Sequence, residues 1–184
     1  MVLADFATDY PFWAERVSLG VGLIRVLLGI TLAAHGYAKF FKGGRIPGTG
    51  RWFDSMGMRP GRFHAYLAAS TEVGAGLLFA IGLFTPLAAA AMVALMAVAG
   101  WTVHRDKGFF IVGEGWEYNF IIAVVAVGIA TTGPGQYSLD YAFGLTDPDF
   151  DGITGLLIAA VGGVGAAVAQ LAIFYRPPAP SADD

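Results

Sequence analysis

Six polar residues stand in, or at the ends of, otherwise apolar stretches of this chain: Arg25, His35, Lys39, Glu72, His104 and Glu117. A histidine beside a carboxylate can hold a carbonyl oxygen and pass protons, because imidazole titrates near physiological pH. A lysine or arginine in the same place stabilises negative charge as it develops. The stretch LAAHGYAKFF (32–41) puts His35 and Lys39 one helical turn apart, at the end of an apolar run that begins near Val17. At about 100° per residue, His35 and Lys39 lie roughly 40° apart, and Arg25 is displaced from Lys39 by a similar angle the other way, so the three share a face. Arg25 sits about 15 Å deeper than His35 at the helical rise. If the next apolar segment returns antiparallel, Glu72 falls between them in depth, within reach of Arg25, of His35, or of both through water. His104 and Glu117 enter at the same end. The expectation is a polar pocket in one half of a helix bundle. His35 and Glu72 are its catalytic candidates, and Arg25, His35, Lys39, Glu72, His104 and Glu117 its binding candidates. Plainer roles stand beside these. Arg25–Glu72 would be an ion pair that fixes register, and His35 would bond a backbone carbonyl. Lys39 would be a snorkelling anchor, His104 and Glu117 cap or loop residues, and His64 an interfacial one.

What must position these groups is a membrane bundle. The chain is 56% hydrophobic and only 14% charged, against about 25% charged in a soluble domain. A hydrocarbon core needs about 20 apolar residues per helix, and five segments approach that length: 17–38, 65–84, 87–104, 117–133 and 152–175. The fold class expected is all-α, a four-helix membrane bundle with a fifth C-terminal transmembrane helix. Residues 1–16 read as an interfacial lead-in with Tyr10, Phe12 and Trp13 at headgroup level. They have neither the basic start nor the cleavage site of a signal peptide. The tail 176–184 reads as disordered. Within the 39–62 loop, GTGRWFDSMG suits a short helix lying on the membrane or folded back on the bundle. Gly155, Gly162, Gly163 and Gly165 with Ala159 and Ala166 give the fifth span a small-residue face, suited to close packing on its own bundle or on a partner, a homo-oligomer included.

Lys39, Lys42, Arg45, Arg51, Arg59, Arg62, Arg105, Lys107 and Arg176 fall on one side of these spans, and Arg16 on the other. The positive-inside rule then places the N-terminus outside and the C-terminus in the cytoplasm of a bacterial inner (plasma) membrane. A net charge of −3 argues against nucleic acid as a partner. The absence of cysteine removes disulfides, thiolate metal sites, thiol redox chemistry and c-type haem attachment. No two histidines share a helix at ligand spacing and there is no dinucleotide fingerprint, so metal, haem, flavin and NAD are not expected.

The pieces LIRVLLGITLAAHGYAKFF (23–41), GTGRWFDSMGMRPG (48–61), ASTEVGAGLLFAIGLFTPLAA (69–89), GFF with GWEYN (108–119) and GPGQYSLD (133–140) resemble, in order and spacing, the DoxX family of small bacterial membrane proteins. The resemblance covers about residues 17–141. It implies a four-helix transmembrane bundle, with Arg25, His35, Lys39, Glu72 and Glu117 where family members carry similar polar residues. The related DoxD proteins are subunits of a thiosulfate:quinone oxidoreductase. DoxX proteins are linked to a membrane oxidoreductase complex with superoxide dismutase and a thiosulfate sulfurtransferase. Residues 142–175 lie beyond that unit.

Three functions follow. The first is a quinone-interacting subunit (menaquinone or ubiquinone) of an oxidoreductase complex. In it His35 would bond the carbonyl, Glu72 would orient it and relay protons, Lys39 or Arg25 would stabilise charge, and electrons would come from a membrane or peripheral redox partner. The second is a non-catalytic scaffold recruiting such partners. The third is a binder of a small anion or lipid. Alternating-access transport is disfavoured by the lack of an inverted repeat.

Overall fold

In the computed structural model, residues 2–146 and 150–177 are described, with side chains from Trp13 onward. The described residues are helical, with no strand among them beyond one isolated bridge. Helix α1 (Val2–Phe41) runs unbroken from the N-terminal segment through the first span. It is followed by α2 (Arg45–Ser55), α3 (Gly61–Ile81) and α4 (Thr85–Ala99), which continues through a π-helical turn, Gly100–His104, and a 3-10 turn, Arg105–Lys107. Then come α5 (Glu117–Thr132), the short α6 (Leu139–Ala142), α7 (Gly152–Leu156) and α8 (Gly163–Phe174), the last two joined by a second π-helical stretch, Leu157–Gly162. The tail from residue 178, Asp147 and Asp149 of the acidic loop, and the side chains of Tyr10 and Phe12 lie outside the described residues.

Among the described residues, four helices are long and apolar enough to cross a membrane: Trp13–Phe41, Gly61–Ile81, Thr85–Lys107 and Gly152–Phe174. The segment expected at 117–133 is a 16-residue helix, Glu117–Thr132, shorter than the about 20 residues a crossing needs. Leu23, Ile24, Leu27 and Ile30 of α1 point outward, as an apolar solvent allows.

Helix α1 packs on α3, and α4 lies between α3, α5 and α8. The buried face of α1 is a seam through Ser18, Arg25, Gly29, Leu32 and Gly36, repeating by fours and threes as in a coiled coil. Glycine lets the backbones meet there: a Cβ on Gly76 would lie 2.6 Å from the Gly29 carbonyl. The helix beyond the four-helix unit packs on its own bundle. Gly155, Ala159, Gly163 and Ala167, at every fourth position, are its buried ridge, and a Cβ on Gly163 would come 2.7 Å from the Ala90 carbonyl of α4. Gly162, Gly165 and Ala166 of the expected face point away. The chain then leaves α8 against the α2–α3 connection: Met58 bridges Tyr175, and Arg176 N donates to Gly57 O at 2.8 Å.

At the opposite end the α3–α4 corner is held by two buried charges. Arg25, 1% exposed, donates from Nη1 to the carbonyls of Phe79 (3.0 Å) and Ala80 (2.7 Å), and from Nη2 to that of Tyr137 (2.7 Å). Asp140, also 1% exposed, accepts from Phe84 N (2.7 Å), Thr85 N (2.9 Å) and Thr85 Oγ1 (2.7 Å). Arg25 thus does not pair with Glu72. It binds carbonyls of the last turn of α3, while Asp140 caps the free N–H groups where α4 begins. Gly82 sits between them with φ 66°, a left-handed conformation that glycine adopts without strain, and any Cβ there would strike the Arg25 guanidinium. Replacement Arg25→Lys keeps a charge but cannot reach three carbonyls in a fork. It should cost about 3 kcal/mol or more, since charge-assisted bonds contribute about 1.5–3 kcal/mol each. A fall in the thermal midpoint of the purified protein by several degrees checks this, and an unchanged midpoint would mean that the clamp is dispensable.

Candidate functional site

The end of the bundle that carries α2 holds the remaining polar side chains. Lys39 follows Arg25 by 14 residues, two heptads, and so stays on the seam facing α3. Its Nζ donates to both carboxylate oxygens of Glu72 at 2.6 Å. The two side chains keep 23% and 9% of their surface exposed. Lys39 is therefore a half-buried partner of Glu72, its ammonium held by the carboxylate rather than reaching out to water. Close packing delivers the pair, because a Cβ on Gly36 would fall 2.8 Å from Glu72 Cβ.

Two cavities open beside this pair. One, of about 320 Å³, lies between α2, α3, α4 and α8 and is lined by Lys39, Glu72, His64, Thr71, His104 and Gln170, with apolar residues such as Phe53, Leu67, Leu95 and Val98. The other, of about 220 Å³, lies between α1, α4 and α5, with His35, Glu72, His104, Tyr118 and Asn119 in its wall. Glu72, Ala99 and His104 line both. The site residues read from sequence therefore distribute unevenly. His35, Lys39, Glu72 and His104 come together around two adjoining chambers, while Arg25 is at the far end of α3.

His35 is exposed at the rim of the smaller cavity, one position off the α1–α3 seam. Glu72 bonds Lys39 and not His35. His104 is the last residue of the π-helical turn, a distortion frequent at functional sites, and its Nδ1 donates to the Glu114 carbonyl at 2.6 Å. Glu117 accepts from Ile111 N at 2.9 Å, so it braces the 105–116 loop and lines neither cavity. The residue that sequence reasoning missed is His64. It reads as interfacial, yet it is 2% exposed and lines the larger cavity. Its Nδ1 faces Gln170 Nε2 at 3.2 Å, and its Nε2 has no partner. A signal was present in the sequence, since Gln170 is the polar residue of an otherwise apolar α8.

These features define a multi-pass α-helical membrane protein with a polar cluster at one end of its bundle. The DoxX family model matches residues 20–105, and the chain belongs to the DoxX family. It is 30% identical over 126 residues to a Bacillus subtilis (strain 168) protein that carries the name "Putative oxidoreductase CatD", covering 68% of this chain and 88% of that one. An uncharacterized protein of Haemophilus influenzae is 26% identical over 131 residues, covering 66% of this chain and 84% of that one. No solved structure matches.

The 105–116 loop that receives His104 is tied by a Lys107–Glu114 ion pair. The Lys107 hydrogen bond and charge hold the Glu114 carboxyl below its ordinary 4.5. A depressed folded pKa means that the pair's contribution is complete above the unfolded pKa and is lost as pH falls through the folded one. Loop order reported by Trp116 fluorescence should therefore be constant above pH 5 and fall only below about 4.5. Glu114→Gln should show the acid-state signal at neutral pH. A signal that does not change with pH would mean that the ion pair does not order the loop.

Proposed function

We propose that this protein is a membrane subunit of an oxidoreductase complex that binds a quinone, menaquinone or ubiquinone, in the chambers beside Lys39 and Glu72. The observation that carries the reading is a nine-tenths buried carboxylate, bonded by a lysine at 2.6 Å, in the wall shared by two largely apolar cavities. A charge pair in a membrane bundle is expensive to bury and usually marks a ligand or proton path. The larger cavity is within the about 300–1,000 Å³ of small-molecule sites. A quinone supplies the acceptance of two electrons and two protons at its carbonyls.

The residues around the chambers match those needs. The Lys39 ammonium carries three N–H groups, and the carboxylate takes at most two, which leaves one to meet a carbonyl and stabilise negative charge on it. Glu72 has lone pairs to accept from a hydroxyl and shares its cavity walls with His104 and His35, whose imidazoles can carry a proton to or from it. Arg25, at the other end, has no part in this. The electrons come from a reducing partner protein. The relative's printed name supports the redox half of the reading. The basic loops and Arg176 at the α2 end favour that end as the cytoplasmic one in a bacterial inner membrane, with the N-terminus outside.

The test is equilibrium binding of short-chain ubiquinone and menaquinone to the protein in lipid nanodiscs. Wild type should bind, and Glu72→Gln should weaken binding about tenfold, the effect of losing roughly one charge-assisted bond. Because Glu72→Gln also strands Lys39, the double replacement Lys39→Met with Glu72→Met serves as the control. An apolar pair of similar volume is often as stable as the buried ion pair it replaces, so this variant should melt near the wild type and still bind poorly. Wild-type-like binding by the double variant would make the pair purely structural, and no binding by the wild type would end the quinone reading.

A further inference from the structure

The loop between α4 and α5 carries its apolar side chains on the outside. Between Lys107 and Glu114 it reads GFFIVG (108–113), with no charged or polar side chain. Phe110, Ile111 and Val112 are exposed, Val112 at 95%. A cluster of that kind marks contact with something other than water. Its surface does not end at the loop. Phe109 meets the Trp116 ring at 4.7 Å between centroids, and both meet Phe120 of α5. Ile121 and Val124, also exposed, continue along the helix. The tip is therefore continuous with the outward apolar surface of α5.

The length of α5 says what covers that surface. Its 16 residues measure about 24 Å at the helical rise, against a hydrocarbon layer of about 30 Å. A helix shorter than the layer thins the bilayer around it and draws its flanking residues to the boundary. One end of α5 runs into Gly133 and Pro134, both buried. The other opens into the loop. Irregular backbone drawn toward hydrocarbon must be satisfied from within the protein, and this loop is bonded in that way. The carbonyls of Gly108, Phe109, Phe110 and Ile111 accept from Trp116 N (3.2 Å), Glu117 N (2.8 Å), Gly113 N (3.0 Å) and Glu114 N (2.8 Å). The Ile111 amide is met by Glu117 Oε2 at 2.9 Å. Gly115 closes the neck, since a Cβ there would strike the backbone of Gly108 and Phe109. The two charges that flank the tip, Lys107 and Glu114, are paired with each other.

We propose that the 108–113 tip is a membrane-inserting loop. Phe110, Ile111 and Val112 enter the boundary between headgroups and acyl chains, where an apolar face sinks about 5–10 Å, and the Lys107–Glu114 pair stays at headgroup level. The occupant of this surface is the lipid leaflet around α5, whatever the chambers beside Lys39 and Glu72 bind.

The chain has no cysteine, so Val112→Cys gives a single site for a nitroxide. Asp106→Cys, at an exposed position outside the tip, gives the control. Each labelled full chain is placed in lipid nanodiscs. Its relaxation by oxygen, which concentrates among acyl chains, is compared with that by a water-soluble nickel chelate. Oxygen should act more strongly at Val112, and nickel at Asp106. Because a nitroxide is itself apolar, Ile111→Asp is then added to the Val112 label. It should raise nickel access and lower oxygen access, with the thermal midpoint near that of the labelled parent. Nickel access at Val112 equal to that at Asp106 would put the tip in water. Protection from both reagents would mean that protein, such as a second copy of this chain, covers it. An oxygen preference unchanged by Ile111→Asp would mean that the label, not the tip, seeks lipid. Each of these three results overturns the assignment.

Discussion

A guanidinium cannot stay charged inside an apolar bundle unless the protein replaces the water it gave up. Arg25 meets that demand with backbone. The last carbonyls of α3 carry the negative end of the helix dipole, and Arg25 takes two of them together with the Tyr137 carbonyl. Across the same corner Asp140 answers the opposite problem, at the positive end of α4. The two side chains come from segments 115 positions apart and hold the corner between them. They also fix the register of α1. With Arg25 locked to the end of α3, the seam through Gly29, Leu32 and Gly36 brings Lys39, about 21 Å further along, to the level of Glu72. A slip of one helical turn, about 5.4 Å, would separate Lys39 from Glu72. The ion pair at one end therefore depends on the carbonyl clamp at the other.

The helices of this protein are legible in its sequence because their signal is composition and length. The short helix in the 39–62 loop is legible for a related reason, since Trp52 and Phe53 make no sense in a solvated coil. The partners of the buried charges are not legible in the same way. A reader of letters looks for an opposite charge to set against Arg25 and finds Glu72. The groups that in fact bind it are peptide carbonyls, which no letter records. Helix-wheel arithmetic misplaces His35 for a different reason. Along a seam repeating every seven residues, Arg25, Leu32 and Lys39 share one line, and Gly29 and Gly36 lie roughly 50° to one side of it. His35 falls about as far to the other side, and so sits off the α1–α3 seam, exposed, in the wall of the smaller cavity. His64 was hidden by distance along the chain: what buries it is Gln170 and Phe174 of α8, which returns to the α2 end of the bundle after the whole four-helix unit is complete.

The two ends of the bundle differ in what is left over, and that difference is the better guide to function. Both contain an unpartnered buried nitrogen: Arg25 Nε at one end and His64 Nε2 at the other. Arg25, however, spends its terminal nitrogens on three carbonyls, is packed so closely that Gly82 cannot carry a Cβ, and lines neither of the two chambers. No ligand atom has room to approach it. Lys39, in the wall of about 320 Å³ of open space, has a third N–H beyond the two directed at Glu72. A polar group that is fully enclosed holds a fold together. One that is held by a neighbour and left bordering a cavity, as Lys39 and Glu72 are, is arranged for something that arrives from outside the chain. By that criterion the chemistry of this protein belongs to the end where α2, α3, α4 and α8 meet, and Arg25, the most deeply buried charge in the sequence reading, belongs to its architecture.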